Sequence, residues 1–474
     1  MTAPLNLNLN LTAMPPPPTT PTTPTTPTPT TPMPSLIDAP ARLGRRTDPT
    51  AAATALRHRN LIAIGAVAAV ALALLLFQAF LHGHLSAIDE YDDGVYFGAS
   101  IELWHGIIPY RDFAFVQPPL ITAWLLPFAA LASWSGTAVA MEAARLFVDA
   151  IAVLNVILVG LLLRRRSTAQ VILATGIMAL YQGTISSAQT ILLEPFLVLL
   201  CLLALLCILE GNHLTASLRR TVLCGVLFGV AGATKIWAIF PLLAVLATVW
   251  PLGPPMRRRL VGGAALGFIG SCLPFIAAAP ANFIQQVFIT QAIRSDGGYA
   301  VVRRLADLTG SSGVASLVTH HGAVGLLVLA LMLALAVSLA LYAFGDVRRR
   351  PWTALEKIAL LSTVFLGVGL LLSPTYYYHY SGIAAPFLAL TVTAGAARIR
   401  QRQRLQYPHP TARLFTFPTL TTILALLGVM AASAVDYIST ATPAAQVADA
   451  VSDVIPSRGC VLYVNPTVAL LDDR

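Results

Sequence analysis

Apolar runs alternate with short polar stretches along most of the chain after residue 60, and many approach the roughly 20 residues that a helix needs to cross a bilayer. They run from Leu61 to Leu81, Ala138 to Leu163, Val171 to Gly183, Ile191 to Leu209, Thr221 to Gly232, Ala238 to Trp250, Val261 to Ala279, Val318 to Phe344, Ile358 to Leu372, Ile383 to Ala397 and Phe415 to Ala434. The pattern predicts about eleven transmembrane helices. Two of them, Thr221 to Gly232 and Ala238 to Trp250, form a short hairpin with Lys235 at its tip.

The polar intervals are unequal. The first, DEYDDGVYFGASIELWHGIIPYRDFAFVQPPL from Asp89 to Leu120, carries five carboxylates before Leu103, then Arg111 and Asp112. Pro118 to Ala132 reads as a shallow helix at the membrane surface. Residues 1–55 are Pro- and Thr-rich, with the run PPPPTTPTTPTTPTPTTP, and lack the apolar surface to offset the entropy of ordering. They are expected to form a disordered arm, either a solvated tail or a ligand for a proline-binding partner. The apolar run after it is too long for a cleaved signal peptide and is expected to be a retained anchor.

At the other end, Ala444 to Val454 has helical spacing, and CVLYV (Cys460 to Val464) reads as a buried strand. One helix and one strand do not make a stable domain, so this tail either opens an α/β module or docks on the membrane part. The expected class is an all-α polytopic membrane protein, with an outer first loop carrying juxtamembrane helices and a short α/β-like tail. Its divisions are residues 1–55, 56–435 and 436–474.

Charge orients the pattern. Arg45, Arg46, Arg57 and Arg59, Arg164 to Arg166, Arg219 and Arg220, Arg257 to Arg259, Arg348 to Arg350, and Arg398 to Arg404 all fall on one side when the amino terminus is cytoplasmic. The expected location is the cytoplasmic (plasma) membrane, with the amino terminus inside and the acidic loop outside. The same threading brings Asp92, Asp93, Glu194, Lys235 and His379 to the outer face.

Composition narrows the classes further. Of 474 residues, 56% are hydrophobic and 11% charged, where soluble domains carry about 25% charge. The net charge of +9 resides in separate clusters between spans, so it reads as a topology signal and gives no nucleic-acid face. Cys201, Cys207, Cys224 and Cys272 lie in apolar runs and Cys460 stands alone, which predicts neither a disulfide framework nor a thiolate metal site. No P-loop, dinucleotide fingerprint, zincin motif or nucleophile elbow occurs.

Carboxylates beside lipid are costly unless they face water, a cation or a substrate, so the acidic loop is a candidate site. Asp92 is the candidate general base; Asp93, pointing elsewhere on the same helix, would orient it or bind an acceptor. Either could instead cap a helix. Lys235 between apolar helices would need an anion, or would snorkel from a helix end. Arg111 has Asp112 beside it, so a local ion pair competes with a phosphate contact. Arg145 is expected to pair with Glu142 or Asp149 on its own helix. Glu194, followed by Pro195, suits a helix start as well as a site. His379 sits among Tyr376, Tyr377, Tyr378 and Tyr380, which could bind substrate or belt the interface. Arg294, Arg303 and Arg304 run against the topology bias and could steer an anionic lipid or touch head groups. His320 and His321 are read as interfacial. Asp89, Glu90, Asp92 and Asp93 could support a divalent ion but lack diagnostic spacing, so no cofactor is assigned.

Taken in order, these motifs resemble the GT-C superfamily of integral-membrane glycosyltransferases, in the branch of protein O-mannosyltransferases and the lipid A aminoarabinose transferase. The resemblance spans roughly Leu61 to Leu390: Asp92 and Asp93 in DDGVY, VQPPL (Val116 to Leu120), Arg145 in AARLF, Glu194 in LLEPF, GATK (Gly232 to Lys235) and YYHY (Tyr377 to Tyr380). It departs from the family at Asp93, where Glu is more usual, and at Gln117, where Lys often precedes the prolines. The resemblance implies transfer of a hexosyl or pentosyl group, with inversion, from a polyprenyl-phosphate sugar to an extracytoplasmic glycan, lipid or protein. Asp92 and Asp93 would be catalytic; Lys235, Arg111 and His379 would bind the donor phosphate; Glu194, Gln117, Tyr378 and Tyr380 would bind substrate. A secondary transporter or lipid flippase is the alternative, but it would favour midplane charges and two related halves. A noncatalytic scaffold recruited through the arm is a third.

Overall fold

A computed structural model of the chain describes residues 49–295, 297–310, 322–406, 417–440, 465–471 and 473. Most of the arm, His320 and His321, and the expected tail helix and CVLYV strand lie outside the described residues.

Each apolar run read from the sequence is mainly helical over its described residues, although Tyr181 breaks one run and Ile191 to Leu193 precede the helix of another. The first is α1 (Pro49–Phe80). It starts well before Leu61, so residues 49–55, assigned to the arm above, are helical instead; the Ala-rich stretch Ala51 to Ala55 favours this. The first loop folds into α2 (Asp92–Trp104) and α3 (Leu120–Ser135). Then come α4 (Thr137–Leu162), α5 (Thr168–Leu180), α6 (Gln182–Ala188) and α7 (Glu194–Ile208). The hairpin is α8 (Leu218–Thr234) and α9 (Ile239–Val249), and α10 (Pro254–Ala278) returns beside it. After α11 (Val301–Thr309) the chain continues through α12 (Ala323–Phe344), α13 (Ala354–Leu372), α14 (Ala385–Gln406), α15 (Phe417–Thr440) and the tail helix α16 (Pro466–Leu471).

Among the described residues four helices, α1, α4, α10 and α13, are individually long and apolar enough to cross a membrane, and α5 with α6 makes a fifth if that pair, bent by 50°, counts as one span. The protein is thus polytopic and mostly α-helical. Among the described residues the only sheet is a two-stranded hairpin, β1 (Leu209–Glu210) with β2 (His213–Leu214), at the end of α7.

Packing between α8 and α10 uses paired glycines four residues apart. A Cβ on Gly225 or Gly229 would overlap the carbonyl oxygens of Leu260 and Ala264, and one on Gly263 or Gly267 those of Val222 and Val226. Small residues let helix backbones approach this closely, which is how apolar helices associate where lipid supplies no hydrophobic driving force. This contact fixes the axis of α8 and hence Lys235 at its end.

The two ends of the bundle differ chemically. At one end, Asn60 donates to the carbonyls of Arg164 and Arg166, Arg220 pairs with Glu210, and Arg398 pairs with Glu356 at 2.8 Å. The acidic loop, the start of α7 and the end of α8 gather at the other.

Candidate functional site

The site grows from helix ends. Pro195 at the first turn of α7 suits a helix start, where the missing N–H is no loss, and sets Glu194 at the amino end. The turn after α8 leaves Lys235 with extended backbone, and a 3-10 turn from Tyr378 to Ile383 carries His379. Although separated in sequence, these three meet. Lys235 Nζ donates to Glu194 Oε1 at 2.5 Å, and His379 Nδ1 lies 3.1 Å from the same oxygen. The histidine contact is close but off the hydrogen-bond axis, and Glu194 Oε2 has no hydrogen-bond partner among the described residues. All three side chains are buried. The Lys235 ammonium also stands 3.6 Å from the centre of the Tyr380 ring.

Adjacent acids on α2 have opposite fates. Asp93 is fully buried: it accepts from Arg145 at 2.6 Å, Thr190 at 2.5 Å, Thr467 at 2.6 Å and the Gly94 amide at 2.6 Å. Asp92 is half-buried, accepts from Tyr96 at 3.0 Å, and its charge acts on Lys235. Arg145 therefore bridges to another helix, correcting the expectation that it pairs along α4. Glu142 instead accepts from Ser86. Thr467 also donates to the Glu90 carbonyl, and Asp473 accepts from Thr137 and the Ala138 amide, so the described end of the tail docks on α2 and α4.

The remaining acids of the loop are separately engaged. Asp89 lies 3.1 Å from His84, and Glu90 accepts from Tyr378, which accepts in turn from Gln189 at 2.6 Å. Burial pushes the Glu90 carboxyl up, an effect that Tyr378 and His379 partly oppose. Among the described residues, no group of three or more His, Cys, Asp or Glu side chains is disposed to hold a metal ion.

A cavity of ≈ 250 Å³ opens beside Lys235. Among the described residues, Lys235 and Arg294 supply its charges, Gln117, Gln291, Ser373, Thr375 and Tyr380 its polar groups, and Trp237 an aromatic wall, with no carboxylate in the lining. Arg294 donates to the Tyr377 hydroxyl at 3.3 Å. Anionic groups suit such a pocket, because charge-assisted hydrogen bonds to guanidinium and ammonium are the strong ones.

Of the residues singled out from sequence, Glu194, Lys235, His379 and Tyr380 meet directly, Gln117 lines the same cavity, and Asp92 acts electrostatically on Lys235. Tyr378 reaches Glu90 instead. Arg111 forms a bidentate ion pair with Asp112, its two nitrogens at 2.8 and 2.9 Å, which holds the Asp112 carboxyl below its usual range. Arg304, read as exposed, is buried and donates to the Leu370, Leu371 and Ser373 carbonyls at the end of α13, where a cation complements the helix dipole. Arg294 was legible only as a charge against the topology bias. For Thr190 and Thr467 the sequence carries no signal.

Fold and site together define a polytopic α-helical membrane protein with a cationic cavity between helix ends. Residues 124–256, which include Arg145, Glu194 and Lys235, match the family described as dolichyl-phosphate-mannose-protein mannosyltransferase. The fold is similar to that of ArnT from Cupriavidus metallidurans bound to undecaprenyl phosphate, with a TM-score of 0.54 and 15% identity over 85% of this chain and 84% of that one. Against the apo state of ArnT the TM-score is 0.55, again at 15% identity, over 85% and 83%. No curated protein matches the chain by sequence. These likenesses agree with the GT-C resemblance carried by the motifs.

Proposed function

We propose that this protein transfers a glycosyl group from a polyprenyl-phosphate carrier to an acceptor at the outer face of the cytoplasmic membrane. The observation that carries the reading is the cavity lined by Lys235 and Arg294, at the same end of the bundle as the half-buried Asp92. An acceptor hydroxyl attacks the anomeric carbon while Asp92 takes its proton; the bond from that carbon to the phosphate oxygen breaks. Polyprenyl phosphate departs with its added charge held by Lys235 and Arg294. Glu194, buried behind the cavity wall, holds Lys235 in place through their ion pair. Gln117 and Tyr380 line the donor's path. The undecaprenyl phosphate held by ArnT, whose fold is similar, supports a prenyl donor.

In this reading the chain crosses the membrane about eleven times, with residues 1–55 inside and the acidic loop outside, consistent with the segregation of its arginines. Purified protein incubated with a panel of polyprenyl-phosphate sugars should yield a glycosylated acceptor detectable by mass, and Asp92→Asn should lower its yield by about 100-fold or more while inserting normally. Substrate flux into proteoliposomes without any transfer would refute the assignment.

A further inference from the structure

A second charged cavity, ≈ 200 Å³, lies at the arginine-rich end of the bundle, remote from the site above. Arg349, Arg350, Arg398 and Arg402 line it with Asp346 and Tyr342. Arg398 is committed to the fold: it pairs with Glu356 and donates to the Ala343 and Arg350 carbonyls. Arg402 is braced at the wall, donating to the Tyr342 carbonyl at 3.0 Å with its guanidinium 4.2 Å from the Tyr342 ring centre. The guanidinium groups of Arg349 and Arg350 make no ion pair with any described residue. Even counting Glu356 against Arg398, the described lining holds two more guanidinium charges than carboxylates.

Topology alone accounts for arginines on this side of a membrane, but four guanidinium groups gathered around one concavity, three of them at least partly open to solvent, suit an anion drawn from the adjoining leaflet. Apolar surface continues from the rim: Leu341 and Leu405 are 67% and 68% exposed, and α12 presents Leu327, Leu331 and Leu335 along the same helix. A ligand that fits has a phosphate for the arginines and hydrocarbon for the leucines. At roughly 30 Å³ per water, the cavity takes a phosphate with a glycerol beside it.

We propose that this cavity binds the phosphate head group of an anionic glycerophospholipid in the leaflet at this end of the bundle. Basic pockets between transmembrane helices suit such head groups, each arginine contributing on the order of a fivefold gain in affinity. The site stands apart from the donor cavity, so it does not depend on the proposed transfer activity.

The test uses full-length protein purified in detergent and titrated, by native mass spectrometry and thermal shift, with dioleoylphosphatidylglycerol, dioleoylphosphatidylcholine, glycerophosphate and inorganic phosphate. Saturable binding of phosphatidylglycerol is expected, with phosphatidylcholine and the two soluble phosphates much weaker. R349Q/R402Q should weaken it about thirtyfold, and R349Q alone, which removes no described side-chain contact, about fivefold. Equal binding of phosphatidylcholine would overturn the proposal, as would unchanged affinity in R349Q. Glycerophosphate binding as tightly as the lipid would reassign the cavity to a soluble phosphate compound.

Discussion

Glu194 at the start of α7 and Lys235 at the end of α8 form a buried ion pair of 2.5 Å, 41 residues apart in sequence, and Lys235 also lines the cavity. Removing one partner strands the other charge, so Glu194→Ala should destabilise the protein by about 3–5 kcal/mol. The double change Glu194→Ala with Lys235→Ala should cost clearly less than the two single losses added together, read as a coupling in detergent unfolding curves.

Asp92 and Asp93 should separate stability from chemistry. Asp92→Asn loses one tyrosine contact, so its unfolding midpoint should stay near wild type, while transfer falls by about 100-fold to 10,000-fold, the contribution of a general base. Asp93→Asn disrupts a buried pair with Arg145 and should cost about 3–5 kcal/mol. Equal stability losses in the two variants would contradict the division.

Arg294 and Arg304, ten residues apart, should also diverge. Arg294→Gln is expected to raise the KM for the lipid donor about tenfold to a hundredfold with little change in unfolding, through loss of a charge-assisted contact. Arg304→Gln frees the carbonyls at the end of α13 and should show the opposite pattern.

Gly229 tests the helix contact that aims Lys235. Gly229→Leu places a side chain against the Ala264 carbonyl and should destabilise by at least about 1–3 kcal/mol, the usual penalty of overpacking. Gly262→Leu on the same helix pair, where no atom lies near a new Cβ, serves as the control and should be mild.

Glu90 gives a pH signature. Burial raises its folded carboxyl above the ordinary 4.5, so the group favours the folded state when protonated. That contribution is complete below the ordinary value and is lost as pH rises through the raised one. Glu90→Gln abolishes the dependence, so the unfolding midpoint of wild type relative to this variant should fall as pH increases through that window.

Helices were the legible part, because membrane crossing imposes a length and an apolar composition that any single segment must satisfy alone. The arginine clusters likewise announced which loops share a side, since that bias acts on each loop separately. From those two rules came the shared level of Asp92, Glu194, Lys235 and His379. Residues 49–55 misled because the Pro/Thr bias of the arm overshadowed a short Ala-rich stretch able to extend α1.

Partner choice was decided only in three dimensions. Arg145 had suitable acids one turn away on α4, yet joins Asp93 on α2, because helix packing buries that carboxylate where no water can reach it. Thr467 completes the same carboxylate from the other end of the chain. Arg294 and Arg304 look alike as letters; one lines a cavity and the other closes a helix end. Local rules settle what each segment becomes, whereas the assignment of a charge to a site or to the scaffold depends on which groups from distant segments share its small volume.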